Sequence, residues 1–129
     1  AENLGVVTYS PVGGGLLSGK FRPGTRPNDG RLVENASYSR RYGDEWMLET
    51  AGAFGEFADA RGVHPVTLAV AWAAAHPDVT CPIIGARSLE QLQPSLDALD
   101  FELPADLRDE ISALSRRPPP ATDRTEVQE

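Results

Sequence analysis

Four of the twelve glycines and the only lysine of this chain lie within residues 8–21, TYSPVGGGLLSGKF. Glycine-rich backbone beside a cation is suited to binding phosphate, because amide groups can approach the anion closely. Residues 14–20 fit the G-x-x-x-x-G-K pattern of nucleoside triphosphatases, but Phe21 stands where that motif needs a serine or threonine for magnesium. Pro23 and Gly24 also exclude the helix that the motif requires. We therefore favour a solvated Lys20 at the entrance of a loop over a triphosphatase site.

A second segment, residues 82–92 (PIIGARSLEQL), combines a glycine, an arginine and the start of a helix. Ser88 and Gln91 have the spacing of a capping box. The free amides and the dipole at a helix N-terminus favour an anion, and the guanidinium of Arg87 is suited to a phosphate. Two interpretations stay open at this point: both loops bind one phosphate-bearing ligand, or the glycines only permit tight turns with positive φ.

The composition limits the class of protein. The 129 residues suffice for one domain, and 40% hydrophobic with 24% charged residues is typical of globular proteins. A net charge of −7 argues against nucleic acid or an anionic membrane as the main partner. The single cysteine, Cys81, excludes an internal disulfide and has no metal-ligand spacing around it. Because the sequence also has neither a membrane-length apolar run nor a signal peptide, we expect a cytoplasmic protein without a metal site.

The hydrophobic pattern predicts two strands and four helices. Two strands separated by helices indicate parallel pairing in an α/β fold. Two strands are too few to cover these helices, and the chain passes from Ala1 almost directly into an apolar run, so we interpret it as part of something larger. The predicted elements are buried strands at 4–9 and 79–84, a long loop at 18–43, helices at 44–61 (with Gly62 just past the end), 65–76, 88–99 (interrupted by Pro94) and about 104–114, and a disordered tail at 116–129.

Both glycine-containing segments resemble a known family. Residues 7–20 resemble the seventh-strand segment of the aldo-keto reductases, and residues 82–92 are similar to the family's eighth-strand signature. The stretches at 62–65 and 69–72 also look like this family, so the resemblance covers about residues 3–115. It implies a partial (β/α)8 TIM barrel, the C-terminal portion with two strands and about four helices. A complete barrel needs about 250 residues, so this chain is too short to form one. By the resemblance, residues 1–115 are the C-terminal part that carries the cofactor-binding loops.

The resemblance implies NADPH as the cofactor and a small carbonyl compound as the substrate of the complete enzyme. By this resemblance Tyr9 lies against the nicotinamide ring. Ser95 stands, after Pro94, where the family commonly has an asparagine after an acidic residue, and a hydroxyl replaces only part of an amide's hydrogen bonding to adenine. The other implied contacts are Ser10, Val12, Gly13 and Gly14 along the pyrophosphate, and Gly85, Ala86, Arg87 and Gln91 around the adenosine 2′-phosphate.

The family's catalytic aspartate, tyrosine, lysine and histidine come from the first half of the barrel. Lys20, His64 and His76 match none of those positions, so we predict no catalytic residue in this chain. His64 fits a helix cap and His76 a helix end. Tyr38 and Tyr42 lie in the long loop, where we favour plain packing over a cover for the cofactor or substrate pocket.

Two hypotheses follow from these predictions. In the first, the chain is the C-terminal portion of an NADP(H)-dependent reductase of aldehydes or ketones. In the second, it is a catalytically inactive, stand-alone α/β fragment with a binding or structural role. In either case the isolated chain can self-associate, because half of a barrel leaves strand edges unpaired.

Overall fold

The computed structural model describes residues 4–22, 25, 28 and 30–117. Over these residues the chain is α/β, with one two-stranded parallel sheet and six α-helices. The predicted tail lies outside the described residues from position 118 onward, as do Pro23 and Gly24 of the predicted loop. The elements are β1 (Val7–Tyr9), α1 (Arg31–Glu34), α2 (Ala36–Tyr42), α3 (Glu45–Ala60), α4 (Pro65–Ala74), β2 (Cys81–Ile83), α5 (Leu89–Leu96) and α6 (Ala105–Ala113), with short 3-10 turns at Gly13–Gly15 and Asp97–Leu99.

The two strands pair in parallel, as predicted, but each has only three residues. The central pair of the register is Thr8 opposite Pro82. Just before the strands, the amide of Val6 donates to Oγ1 of Thr80 at 2.9 Å, and the amide of Thr80 donates to the carbonyl of Val6 at 2.8 Å. The first strand therefore begins at Val7, later than the apolar pattern at 4–9 predicted. Before it, the amide of Val6 bonds to the side chain of Thr80 rather than to a backbone carbonyl.

The prediction that both strands are buried was wrong. Val7, Tyr9 and Ile83 are 54%, 71% and 57% exposed. Alternate residues of a strand point to the same side, so these side chains share one sheet face with Cys81, which is also exposed. On the opposite face, Thr8 and Pro82 are half-buried. We refer to Val7, Tyr9, Cys81 and Ile83 as the open sheet face.

The predicted loop at 18–43 contains two helices that the sequence pattern did not reveal. The side chain of Asn35 caps α2 by accepting a hydrogen bond from the amide of Ser37 at 3.0 Å, and Gly43 ends the helix. Among the described side chains of α1 and α2, Leu32 and Tyr42 are the apolar ones that pack against the neighbouring cluster of Leu16, Phe21 and Ala51. Two contacts are too few to give a helical period, although the cap residues were present in the sequence.

The main core lies between α3, α4 and α6. Phe54, Ala58, Leu68, Ala69 and Ile111 are all at most 5% exposed. The apolar spacing predicted for α3 is therefore confirmed, and α4 is buried on several sides as its composition predicted. Helix α4 ends at Ala74, two residues earlier than expected.

One histidine caps the start of α4, and the other lies in the turn beyond its end. Nδ1 of His64 accepts from the amide of Val66 at 3.2 Å, which caps the start of α4 and confirms the prediction for this residue. Nδ1 of His76 accepts from the amide of Asp78, also at 3.2 Å, in the turn that leads from α4 to β2. Both rings are accounted for by the local structure of the backbone.

The leucines at 89, 92, 96 and 99 form a leucine stripe at helical spacing, which predicts one apolar face for α5, but the helix packs differently. Leu89 and Leu99 are more than 80% exposed, whereas Ser95 is 7% exposed. Pro94 lies inside the helix, and its carbonyl accepts a hydrogen bond from Oγ1 of Thr67 on α4 at 2.6 Å. This bond draws the face around Pro94 and Ser95 towards α4, so much of the leucine stripe faces solvent.

The guanidinium of Arg22 lies directly over Gly55 in the middle of α3. A β-carbon at Gly55 would clash with Nη1 of Arg22 and would lie 2.9 Å from its Cζ. Nη2 of Arg22 also pairs with Asp59, one turn further along α3, at 2.9 Å. Glycine at position 55 thus leaves room for the side chain of Arg22, whose ion pair with Asp59 attaches the segment after Lys20 to α3.

We expect Gly55→Ala to stabilise the protein by less than the roughly 0.5–1 kcal/mol that alanine gains over glycine within a helix. The added β-carbon must displace the guanidinium of Arg22, which is the end of a flexible side chain, and this weakens its ion pair with Asp59. Chemical denaturation measures the free energy of unfolding. In an Arg22→Ala background the full gain of alanine should appear; the same full gain from Gly55→Ala alone would contradict the proposed contact.

We also expect the isolated chain to self-associate. The open sheet face and the outer edges of a two-stranded sheet are typical features through which proteins associate. Sedimentation velocity at increasing concentration should show a rising average mass, while circular dichroism shows helix content. A monomer with a sharp two-state thermal transition would contradict this expectation and favour an independent domain.

Candidate functional site

Parallel pairing places the carboxyl ends of β1 and β2 at the same edge of the sheet. Tyr9 is the partner of Ile83, so Ser10 and Ile84 leave the sheet side by side. The first of the two predicted segments continues as the glycine turn, residues 10–18, and the second as the arginine loop, residues 84–88. The sheet thus brings together the two segments that the sequence singled out for binding a phosphate.

The glycine turn has an unusual backbone. Gly13, Gly14 and Gly15 have φ of 59°, 66° and 104°, and Ser10 has φ of 56° although it is not glycine. This confirms that the three glycines permit a tight turn with positive φ. Hydrogen bonds within the turn hold this backbone; one example is the amide of Gly13, which donates to the carbonyl of Ser10 at 2.8 Å.

Lys20 lies beyond this turn and is exposed, as predicted. Phe21, which follows it, is 8% exposed and belongs to the cluster around Leu16. Among the described residues, the next helix begins only at Arg31. The backbone after Lys20 therefore lacks the helix N-terminus on which a triphosphatase loop depends.

Two tyrosines of α2 pack on the glycine turn, and we refer to Tyr38 and Tyr42 as the tyrosine pair. A β-carbon at Gly14 would lie 2.5 Å from Cδ1 of Tyr38 and 3.5 Å from Cε2 of Tyr42. The two rings are 6.2 Å apart between centroids and tilted by 33°. Packing was predicted for these tyrosines, but their partner was not, since no sequence spacing relates position 38 to position 14.

The arginine loop ends in the capping box predicted for α5. Oγ of Ser88 accepts from the amide of Gln91 at 3.3 Å. Oε1 of Gln91 accepts in return from the amide of Arg87, at 3.3 Å, one residue before the cap. This reciprocal pair fixes the backbone of Arg87 at the start of the helix, while its side chain is exposed.

The remaining residues predicted to bind the cofactor differ in their solvent exposure. Gly85, Ala86 and Gln91 are exposed, and a β-carbon at Gly85 would have no heavy atom within 4 Å. Ser10, Val12, Gly13 and Gly14 are half-buried, and Tyr9 projects from the open sheet face. Ser95 stands apart from these residues, because it is 7% exposed on the side of α5 that packs towards α4.

Charge is unevenly distributed along this acidic chain. Residues 20–41 contain six of the twelve basic residues but only two of the nineteen acidic ones, so this segment is net positive. Arg40 and Arg41 lie in the last turn of α2, next to the tyrosine pair, and both are exposed. The tyrosine pair packs on the glycine turn, so the basic last turn of α2 favours an anion near it over a cation.

Within the part of the chain that the structure describes, no three or more His, Cys, Asp or Glu side chains form a group that could hold a metal ion. In that same part, none of the helices combines the length and the apolar character needed to cross a membrane.

The model of the Aldo/keto reductase family matches residues 1–116. This chain belongs to that family. The resemblance noted in the sequence is thereby confirmed. The two-stranded parallel sheet with its helices is consistent with part of the barrel that the family implies.

Curated relatives agree with this assignment. The chain is 31% identical to Protein tas of Escherichia coli over 115 residues, which are 88% of this chain and 32% of Protein tas. It is 34% identical over 101 residues to a probable voltage-gated potassium channel subunit beta of Arabidopsis thaliana, covering 77% of this chain and 31% of that protein. It is 36% identical over 118 residues to an uncharacterized oxidoreductase of Mycobacterium tuberculosis, covering 89% and 35%. This aldo/keto reductase chain thus spans about a third of the length of the relatives it matches.

Proposed function

We propose that this chain is the C-terminal, cofactor-binding portion of an NADP(H)-dependent aldo/keto reductase. The observation that carries the proposal is the meeting of the glycine turn and the arginine loop at the carboxyl edge of one parallel strand pair. In α/β barrels the site lies at this end of the strands, and phosphate is frequently bound by the loops after the last two strands. Relatives named as oxidoreductases support the same class of reaction.

The residues present fit a nicotinamide dinucleotide with a 2′-phosphate. The open space above Gly85 leaves room for a ligand to approach the backbone closely. Arg87 stands exposed at the N-terminus of an eight-residue helix, where its guanidinium and the helix dipole both favour a dianion. An arginine at this point matches a phosphate better than a lone ribose hydroxyl, so we propose NADP(H) over NAD(H).

Each element has a role in holding such a cofactor. Tyr9 supports the nicotinamide ring from the open sheet face, beside the carboxyl edge. The 2′-phosphate end is held by the arginine loop and the start of α5, at Gly85, Ala86, Arg87 and Gln91. The pyrophosphate lies along the backbone of the glycine turn, at Ser10, Val12, Gly13 and Gly14. Ser95 stays a prediction, and its burial means that its hydroxyl reaches adenine only if α5 shifts from α4. When bound, the cofactor supplies the hydride that reduces a carbonyl carbon.

The proton that must accompany this hydride needs a positioned acid. By the family resemblance, that group and its lysine and histidine neighbours belong to the first half of the barrel. His64 and His76 already accept hydrogen bonds at helix ends, and Lys20 lies beyond the glycine turn. We therefore propose that the complete enzyme supplies the catalytic residues and the pocket for a small carbonyl substrate, and that it acts in the cytoplasm.

The alternative is a catalytically inactive α/β module with a binding or structural role. It is favoured by the core of α3, α4 and α6, because Ala58 and Leu68 are fully buried without help from further strands. Titration with NADPH distinguishes the proposed function from the structural form of this alternative, since a purely structural module has no reason to bind the cofactor.

We expect Arg87→Ala to reduce the preference for NADPH over NADH. A hydrogen bond to a charged group is worth about 1.5–3 kcal/mol, so the ratio of the two dissociation constants should fall by roughly tenfold or more. Fluorescence titration of the chain with each cofactor measures the ratio. Arg117→Ala, which removes the same charge from an exposed position after α6, is the matched control; an unchanged ratio in Arg87→Ala would reject this assignment.

We expect the isolated chain to catalyse no reduction of aldehydes by NADPH, because the acid system that must protonate the carbonyl oxygen is not among its residues. The measurement is the absorbance of the reduced nicotinamide with a reactive aldehyde at high chain concentration. Steady consumption above that of a mock purification would contradict the proposed division of roles.

A further inference from the structure

The tyrosine pair makes a contact that neither the resemblance nor the comparisons assign. The ring of Tyr38 covers the α-carbon of Gly14 so closely that a β-carbon there would lie 2.5 Å from Cδ1 and 2.6 Å from Cε1. Tyr42 lies beside it, with Cε1 3.9 Å from the position of a β-carbon on Gly13. Two consecutive left-handed glycines of the turn are thus covered by two rings one helical turn apart.

The tyrosine pair is itself held from behind. Tyr42 packs with Leu32 against the cluster of Leu16, Phe21 and Ala51, so α2 is joined to α3. The hydroxyl of Ser39, between the two tyrosines, donates to the carbonyl of Leu32 at the end of α1. Because α2 is fixed on both sides, Tyr38 presses on the turn from a defined position.

The glycine turn needs such support. Four of its residues have φ between 56° and 104°, and one of them is Ser10, for which this conformation costs energy that the surrounding structure must supply. Its amides at Gly13, Gly15, Leu16, Leu17 and Ser18 all donate to carbonyls of the same turn, at 2.8–3.2 Å. These bonds close the turn upon itself, and at Gly14 the nearest packing atoms belong to the tyrosine pair.

We propose that Tyr38 is a positioning residue, whose ring clamps Gly14 and thereby holds the glycine turn in the conformation that binds the cofactor's pyrophosphate. The inference has two parts. The first, that Tyr38 holds the glycine turn, concerns the chain without any ligand. The second, that the held turn binds the cofactor more tightly, rests on the proposed function. The carbons of the ring make the contact, so phenylalanine retains it and alanine does not.

The test compares Tyr38→Ala, Tyr38→Phe and Arg40→Ala with the natural chain. Arg40 is an exposed residue of the same helix, so its replacement controls for changes in α2 itself. Amide hydrogen exchange without ligand reports on the turn through its five donating amides and on the core through α3 and α4. NADPH titration of the same four proteins reports on cofactor affinity.

We expect Tyr38→Ala to accelerate exchange at the turn amides while leaving exchange in α3 and α4 unchanged. NADPH binding should weaken by roughly three- to tenfold, the factor that corresponds to losing an aromatic packing contact. Tyr38→Phe should restore both protection and affinity, and Arg40→Ala should leave the exchange of the turn amides unchanged.

Other outcomes overturn the inference. Unchanged turn exchange in Tyr38→Ala shows that the ring does not hold the turn, and accelerated exchange throughout α3 and α4 shows a general folding role instead. Faster turn exchange with unaltered NADPH affinity separates the clamp from cofactor binding and rejects the positioning role. If the natural chain itself fails to bind NADPH, the proposed function fails, and the clamp on the turn is judged from the exchange data alone.

Discussion

The parallel pairing of Val7–Tyr9 with Cys81–Ile83 is the constraint on which the rest of the site depends. Seventy-one residues separate the two strands in sequence, yet only a three-residue register and the reciprocal bonds of Val6 and Thr80 align them. A slip of one residue would reverse the faces of every strand side chain, moving Tyr9 away from the open sheet face. It would also displace the glycine turn relative to the arginine loop, because each follows directly from its strand.

Helix α4 contacts β2 and joins it to the other helices. It supplies Leu68 and Ala69 to the main core, a hydroxyl from Thr67 to the carbonyl of Pro94, and the indole of Trp72 to Ser112 of α6 at 3.0 Å. Helix α3 is tied to α6 by Arg61, which pairs with Glu110 at 2.7 Å and lies over the ring of Phe57. The strands that precede the loops of the site are therefore connected to a buried helical core, while one face of the sheet is exposed.

The parts of the structure that follow from local sequence could be predicted, and those that follow from distant contacts could not. The cap at Ser88, the start of α4 after His64 and the apolar spacing of α3 are determined within a few residues, and all three are confirmed. The positive φ of the glycines at 13–15 also follows from residue type. Helix α2 was missed because its stability comes from Tyr42 packing on a remote cluster rather than from a repeating apolar period.

The burial of some apolar side chains was mispredicted, because the surfaces that would cover them are not among the described residues. Val7, Tyr9 and Ile83 have the apolar character of a covered strand, and Leu89 and Leu99 that of a covered helix face, yet all are exposed over the described residues. The covalent neighbours of a residue determine its strand or helix preference, but burial also requires the surface that packs on it. The sequence resemblance to the aldo/keto reductases explains the mismatch, since the matched relatives are about three times as long.

Cys81 gives the open sheet face a chemical property of its own. It is the only cysteine of the chain, it is exposed, and it lies opposite Val7 in the register, on the same face as Tyr9. A maleimide or a fluorescent thiol reagent therefore modifies the protein at one place, at the edge of this face where both strands begin. The rate of that labelling reports directly whether further strands, another copy of the chain or solvent occupies the space in front of the sheet.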